Sequence, residues 1–112
     1  MPAENPIRVY IVDDHEVVRR GVASLLETDP ELEVVGQSGS ATVALREILQ
    51  LRPDIAVLDA NLSDGTGVDI CREMRSVDPN IKALILTTYD DPDAISAAIL
   101  AGASGYVLKK IE

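Results

Sequence analysis

The chain has 112 residues, enough for one compact domain and too few for two. Hydrophobic residues make up 46% of it, which excludes a disordered chain, and without Phe or Trp the core must be aliphatic. A net charge of −9 argues against a nucleic-acid surface on this domain, because phosphate backbones are gripped by Lys and Arg.

Cys71 is the single cysteine, so no internal disulfide is possible, and its helical spacing from Ile70, Met74 and Val77 predicts an aliphatic-like buried role. Residues 1–6 form a polar, proline-bearing tail without the apolar stretch of a leader, and no run reaches membrane-span length. Together these features predict a soluble, cytoplasmic domain over residues 7–112.

Strand and helix signals then alternate. Ile7 to Val12 is short, β-branched and almost wholly apolar, the mark of a buried strand. His15 to Thr28 carries Val18, Val22, Leu25 and Leu26 at helical spacing, with Asp14 as the predicted N-cap. Asp29-Pro30 ends that helix, and a second strand runs from Leu32 to Gly36. Ser40 caps a second helix to about Leu51, and Pro53-Asp54 marks the next boundary. Ile55 to Leu58 is the third strand, running into a loop closed by Asp64-Gly65. Thr66, with Asp69 three positions later, caps the third helix. After Pro79-Asn80 come a fourth strand, Ile81 to Thr87, and a fourth helix opened by Asp91-Pro92 and closed by Gly102. Ser104 to Lys109 is the fifth strand.

Such alternation implies an α/β fold with a parallel sheet and right-handed crossovers. The second strand ends in Gly36-Gln37-Ser38, with nothing reactive, as an edge strand remote from a site should. That fits the order 2-1-3-4-5 of flavodoxin-like, doubly wound five-stranded sheets, an order borrowed from that fold rather than deduced. The other four strands end on Asp13-Asp14, Asp59, Thr87-Thr88 and Lys109. In open α/β sheets those carboxyl ends form the ligand crevice.

Three gathered carboxylates repel one another: two unit charges ~4 Å apart at an effective dielectric of ~20 interact by about 4 kcal/mol. An oxygen-only site with few protein ligands suits Mg²⁺, with Asp13 and Asp14 as ligands and Asp59 sharing the ion. Asp59 ends a central strand and leads into a loop, which makes it the better nucleophile for phosphoryl transfer to an acyl phosphate. Lys109 would pair with phosphoryl oxygens and Thr87 would donate a hydrogen bond to another.

The segment Asp13-Asp14-His15-Glu16, Asp59, Asp64-Gly65, Thr87 and the stretch Gly102 to Lys109 resemble the receiver domain of bacterial two-component response regulators of the NarL/FixJ type. Within that subfamily the likeness is to actinobacterial dormancy regulators. The resemblance covers residues 7–110 and implies that Asp59 accepts a phosphoryl group from a histidine kinase. It implies further that the main-chain carbonyl of Asn61 joins Asp13, Asp14 and Asp59 around Mg²⁺. Thr87 and Tyr106 would form a switch pair, Thr87 moving toward the phosphoryl group and Tyr106 turning into the space it leaves. Two positions depart from the family's habit, Ser63 and Lys110 standing where proline is frequent. They bear on loop geometry and kinetics rather than on the chemistry.

His15 is read as an exposed residue of the first helical turn, and Arg19, Arg20, Arg72 and Arg75 as solvated helix faces. From Ala94 to Ala101 only Ser96 is polar, so the fourth helix is expected to dimerise or dock an effector through Ile95 and Ile99. Receivers have a fifth helix after the fifth strand. The chain stops at Glu112, so a truncated regulator is expected, lacking that helix and a C-terminal helix-turn-helix module that would contact DNA. Partner packing, as a homodimer, is expected over the uncovered surface.

Two rival readings use other features. A phosphatase of the haloacid-dehalogenase kind also has an aspartyl nucleophile, but with a second Asp two residues later, where this chain has Asn61. A flavodoxin-like nucleotide binder needs a glycine-rich loop after the first strand, and none follows.

Overall fold

The computed structural model describes residues 5–87 and 92–108. Parallel pairing joins β1 (Ile7–Val12), β2 (Leu32–Ser38), β3 (Ile55–Asp59), β6 (Lys82–Thr87) and β7 (Gly105–Leu108) in the order β2-β1-β3-β6-β7. The intervening β4 (Asn61–Leu62) and β5 (Gly65–Thr66) make a small antiparallel hairpin outside the sheet. Counting only the five sheet strands, the order is the expected 2-1-3-4-5.

The helices are α1 (Glu16–Glu27), α2 (Ala41–Leu51), α3 (Gly67–Val77) and α4 (Pro92–Leu100). Side-chain caps form where the sequence places them: Ser40 Oγ accepts from the Val43 N–H at 3.3 Å and Thr66 Oγ1 from the Asp69 N–H at 3.1 Å. Gly102 closes α4 at φ +95°, a conformation open to glycine without Cβ strain. The expected Asp14 cap on α1 does not form. His15 occupies the N-cap position without a side-chain capping hydrogen bond, and Asp14 turns instead toward the β3–α3 loop. Asp91 lies outside the described residues.

Strand alternation sends side chains to two cores. Tyr10, Val12, Ala56, Leu58 and Ile85 pack with Ala44 and Ile48 of α2, Ile70, Cys71 and Met74 of α3, and Ala98 of α4. Val9, Ile11, Val57 and Leu86 pack on the opposite face against Ala23 of α1. Cys71 is buried as expected, its thiol 3.4 Å from the Ala101 carbonyl oxygen, and burial raises its pKa. Among the described residues, Ile99, Leu100, Val107 and Leu108 are exposed apolar side chains at the α4–β7 side. No described helix is long and apolar enough to cross a membrane.

Candidate functional site

β1 and β3 are neighbours; β3 ends on an acid and β1 is followed directly by one at the same sheet edge. Asp13 follows the buried Ile11-Val12 and is itself 1% exposed; Asp59 closes β3 and is 5% exposed. One carboxylate oxygen from each of Asp13, Asp14 and Asp59, and one ring nitrogen of His15, all lie within 4.8 Å of one another. Thr87, 2% exposed, ends β6, one residue beyond the position opposite Asp59. The sheet therefore brings Asp13, Asp14, Asp59 and Thr87 to one edge. Lys109 and Lys110 lie outside the described residues.

Local hydrogen bonds orient the acids. The His15 N–H donates to Asp13 Oδ1 at 2.9 Å, and the Asn61 N–H donates to Asp59 Oδ1 at 3.2 Å. Ser63 Oγ donates to Asp14 Oδ2 at 3.2 Å, which fastens the loop after the third strand to the acid pair. Asp14 Oδ1 is enclosed and accepts no hydrogen bond among the described residues. An enclosed anionic oxygen without a donor is costly, and a cation is the group that would satisfy it. This donor set, oxygen-rich and compact, fits a hard divalent ion.

Several contributors escaped the sequence reading. Arg19 is not simply solvated: its Nη1 donates to the Asp13 carbonyl at 2.9 Å and its Nε to Gln37 Oε1 at 3.1 Å, tying α1 to the acid-bearing turn. Arg75 likewise donates to the Ile81 carbonyl at 2.8 Å, whereas Arg20 and Arg72 make exposed pairs with Glu16 and Asp69. Gly67 is needed because a Cβ there would stand 2.3 Å from the Asp59 carbonyl oxygen. A glycine directly after a threonine cap, at the start of an amphipathic helix, was the signal that backbone approaches closely there. His15 is exposed as expected, but its ring folds back onto Asp13 and Asp14, an orientation no periodicity encodes.

Tyr106 stands on β7 opposite Ile85, half-buried in a groove of about 200 Å³ that it shares with Ile95, Ala98 and Ile99. Of the two residues expected at an interface, Ile99 is 64% exposed while Ile95 is only partly so.

The profile of the response regulator receiver domain matches residues 9–112. The chain belongs to the response regulator receiver domain family. This receiver domain is 53% identical over 106 residues to the DNA-binding transcriptional activator DevR/DosR of Mycobacterium tuberculosis, covering 95% of this chain and 49% of that protein. It is 40% identical over 109 residues to the nitrate/nitrite response regulator protein NarP of Escherichia coli, covering 97% and 51%. The chain thus spans about half the length of these curated relatives. Among solved structures, the receiver domain of NarL from Mycobacterium tuberculosis superposes with a TM-score of 0.91 at 30% identity, covering 96% of this chain and 87% of that one. A LuxR-family response regulator from Aurantimonas sp. SI85-9A1 gives 0.90 at 35% identity, covering 96% and 77%. Receiver domains bind Mg²⁺ at an acidic pocket, and Asp13, Asp14 and Asp59 are clustered here. The phosphatase and nucleotide-binder readings are set aside by this membership.

Proposed function

We infer that this receiver domain accepts a phosphoryl group on Asp59 from a histidine kinase and, as part of a longer regulator, passes the signal to a DNA-binding output domain. The observation that carries the reading is the convergence of Asp13, Asp14 and Asp59 within 4.8 Å at the carboxyl edge of adjacent strands. An Asp59 carboxylate oxygen attacks the phosphorus of the kinase's phosphohistidine. The P–O bond forms as the P–N bond breaks, the imidazole leaves, and Asp59 becomes an acyl phosphate.

Asp13, Asp14, Asp59 and the Asn61 main-chain carbonyl would hold Mg²⁺, which neutralises charge on the phosphoryl oxygens when bound. The Asn61 N–H fixes the rotamer of the Asp59 carboxylate, and Ser63 fixes that of Asp14. Thr87 donates its hydroxyl to a phosphoryl oxygen, and Lys109 pairs with another. Phosphorylation leaves a charge of about −1.5 to −2, and the re-pairing of Thr87 and Lys109 biases a two-state equilibrium read out beside Tyr106. The apolar surface around Ile99 and Ile95 serves a second copy of the domain.

Incubation with acetyl phosphate and Mg²⁺ followed by intact-mass measurement tests the chemistry. One phosphoryl increment is expected on the wild type and on Ser63→Ala, and none on Asp59→Asn. An increment that survives in Asp59→Asn, or an unmodified wild type, overturns the assignment.

A further inference from the structure

α2 and α3 pack side by side on one sheet face and leave between them a groove of about 500 Å³. Its floor is aliphatic: Ile70 is buried, and Leu45 and Leu49 are half-buried. Val77, one turn beyond Glu73 on the same side of α3, continues that stripe and is 55% exposed. The rims are charged and exposed, with Arg46 on α2 and Asp69 and Glu73 on α3.

Both ends of the groove are tied. At one end Asp64, just before the Thr66 cap of α3, accepts from the Ala41 N–H and from Ser40 Oγ, each at 2.8 Å. At the other end Arg52 Nη1 lies 2.9 Å from Asp78 Oδ2, joining the residues that cap α2 and α3. The two walls are thus held at a set separation, and an occupant need not order them.

Between the ties, two opposite charges are uncommitted. Asp69 pairs with Arg72 at 3.0 Å, but Arg46 and Glu73 enter no ion pair among the described residues, although they line opposite rims of one groove. A fitting occupant covers the aliphatic floor and brings negative charge to the α2 rim and positive charge to the α3 rim. An extended peptide would lay its N–H and C=O groups against side chains, with no backbone edge to pair with. A helix satisfies its own backbone and can carry an apolar stripe between two charged flanks.

We propose that the α2–α3 groove docks an amphipathic helix of a partner protein, whose apolar stripe lies on Leu45, Leu49 and Ile70, with a carboxylate on one flank for Arg46 and a cation on the other for Glu73. The walls are 11 residues long, so at about 1.5 Å per residue they accommodate roughly three turns of that helix. Asp64, Gly65 and Thr66 line one end of the groove, so the docked helix also braces the hairpin that follows β3.

The probe is a three-turn stapled peptide with leucines at i, i+4 and i+7, Glu along one flank and Lys along the other, titrated into the ¹⁵N-labelled chain. Saturable amide shifts are expected in α2, the hairpin and α3. Arg46→Glu and Glu73→Lys, both at exposed positions, should each weaken binding about fivefold. A second peptide with Lys on both flanks should bind the wild type about fivefold more weakly than the first and regain that affinity on Arg46→Glu. Absence of saturable shifts in α2 and α3, shifts centred on α1 or α4, or a Lys-flanked peptide that does not distinguish Arg46→Glu from wild type overturns the proposal. Shifts in α2 and α3 on concentrating the chain without peptide would give the groove to a second copy and overturn it equally.

Discussion

Asp64, in the turn of the hairpin that follows β3, accepts a 2.8 Å hydrogen bond on Oδ1 from the Ala41 N–H at the start of α2. Its Oδ2 accepts from Ser40 Oγ at 2.8 Å and from the Thr42 N–H at 3.3 Å. A helix N-terminus leaves such N–H groups without intrahelical partners, so the loop after β3 is latched to α2 by a carboxylate placed where the helix favours negative charge. The Ala41 N–H, then the Ser40 hydroxyl, pull the Asp64 pKa from 3.8 down to about 2. A carboxyl lowered in the folded state contributes stability that is present above its unfolded pKa and is lost as pH falls through the folded one. Asp64→Asn should therefore lower the melting temperature at neutral pH, and the gap from wild type should shrink between pH 4 and about 2. Thermal unfolding followed by circular dichroism across that range checks it; a gap constant with pH would refute the latch.

The architecture was legible because four of the five sheet strands are short apolar runs ended by a polar residue, and Ser40, Thr66 and Gly102 cap as their chemistry requires. The tertiary bonds were not legible. Asp64 reads as a turn residue, and only the fold reveals that its turn sits over a helix N-terminus 22 to 24 residues earlier in sequence. Asp14 has the composition of a cap but spends its carboxylate on Ser63 across 49 positions, a competition that local propensity cannot decide. Arg19 sits at a position that reads as solvent-facing, yet the Asp13 carbonyl beneath it offers an acceptor.

Gly67 offers a stability test close to Asp59. A Cβ at this position would meet backbone, the Asp59 carbonyl oxygen at 2.3 Å, so neither partner can relieve the clash by a rotamer change. Gly67→Ala should cost about 1–3 kcal/mol as the start of α3 and the end of β3 are forced apart. Urea unfolding measures the loss, and the rate of phosphorylation by acetyl phosphate should fall with it.

Tyr10 is wholly buried in the larger core and its hydroxyl donates to Glu47 Oε1 on α2. Burial first, then the Glu47 carboxylate, pushes the phenol pKa well above 10. A group whose folded pKa is raised gives stability that is complete below its unfolded pKa and is lost as pH climbs toward the folded one. Wild-type stability should fall above about pH 10, and Tyr10→Phe should flatten that alkaline slope. At neutral pH the same substitution should cost about 1.5–3 kcal/mol, the worth of a hydrogen bond to a charged acceptor.

The helix α4 surface separates a packing role from a partner role. Ala98 is fully buried against the core, whereas Ile99 is 64% and Leu100 88% exposed on the same helix. Ile95 is a poor test residue, because it is partly buried beside Tyr106 and a charge there would also disturb the groove. Ile99→Asp places its charge in solvent, so unfolding free energy should stay within about 0.5 kcal/mol of wild type. If a second copy covers this surface, sedimentation velocity at rising concentration should show self-association in the wild type and its loss in Ile99→Asp. A sedimentation coefficient that does not change with the substitution would place the copy-to-copy contact elsewhere, since an Asp at a desolvated contact leaves a charge with no partner.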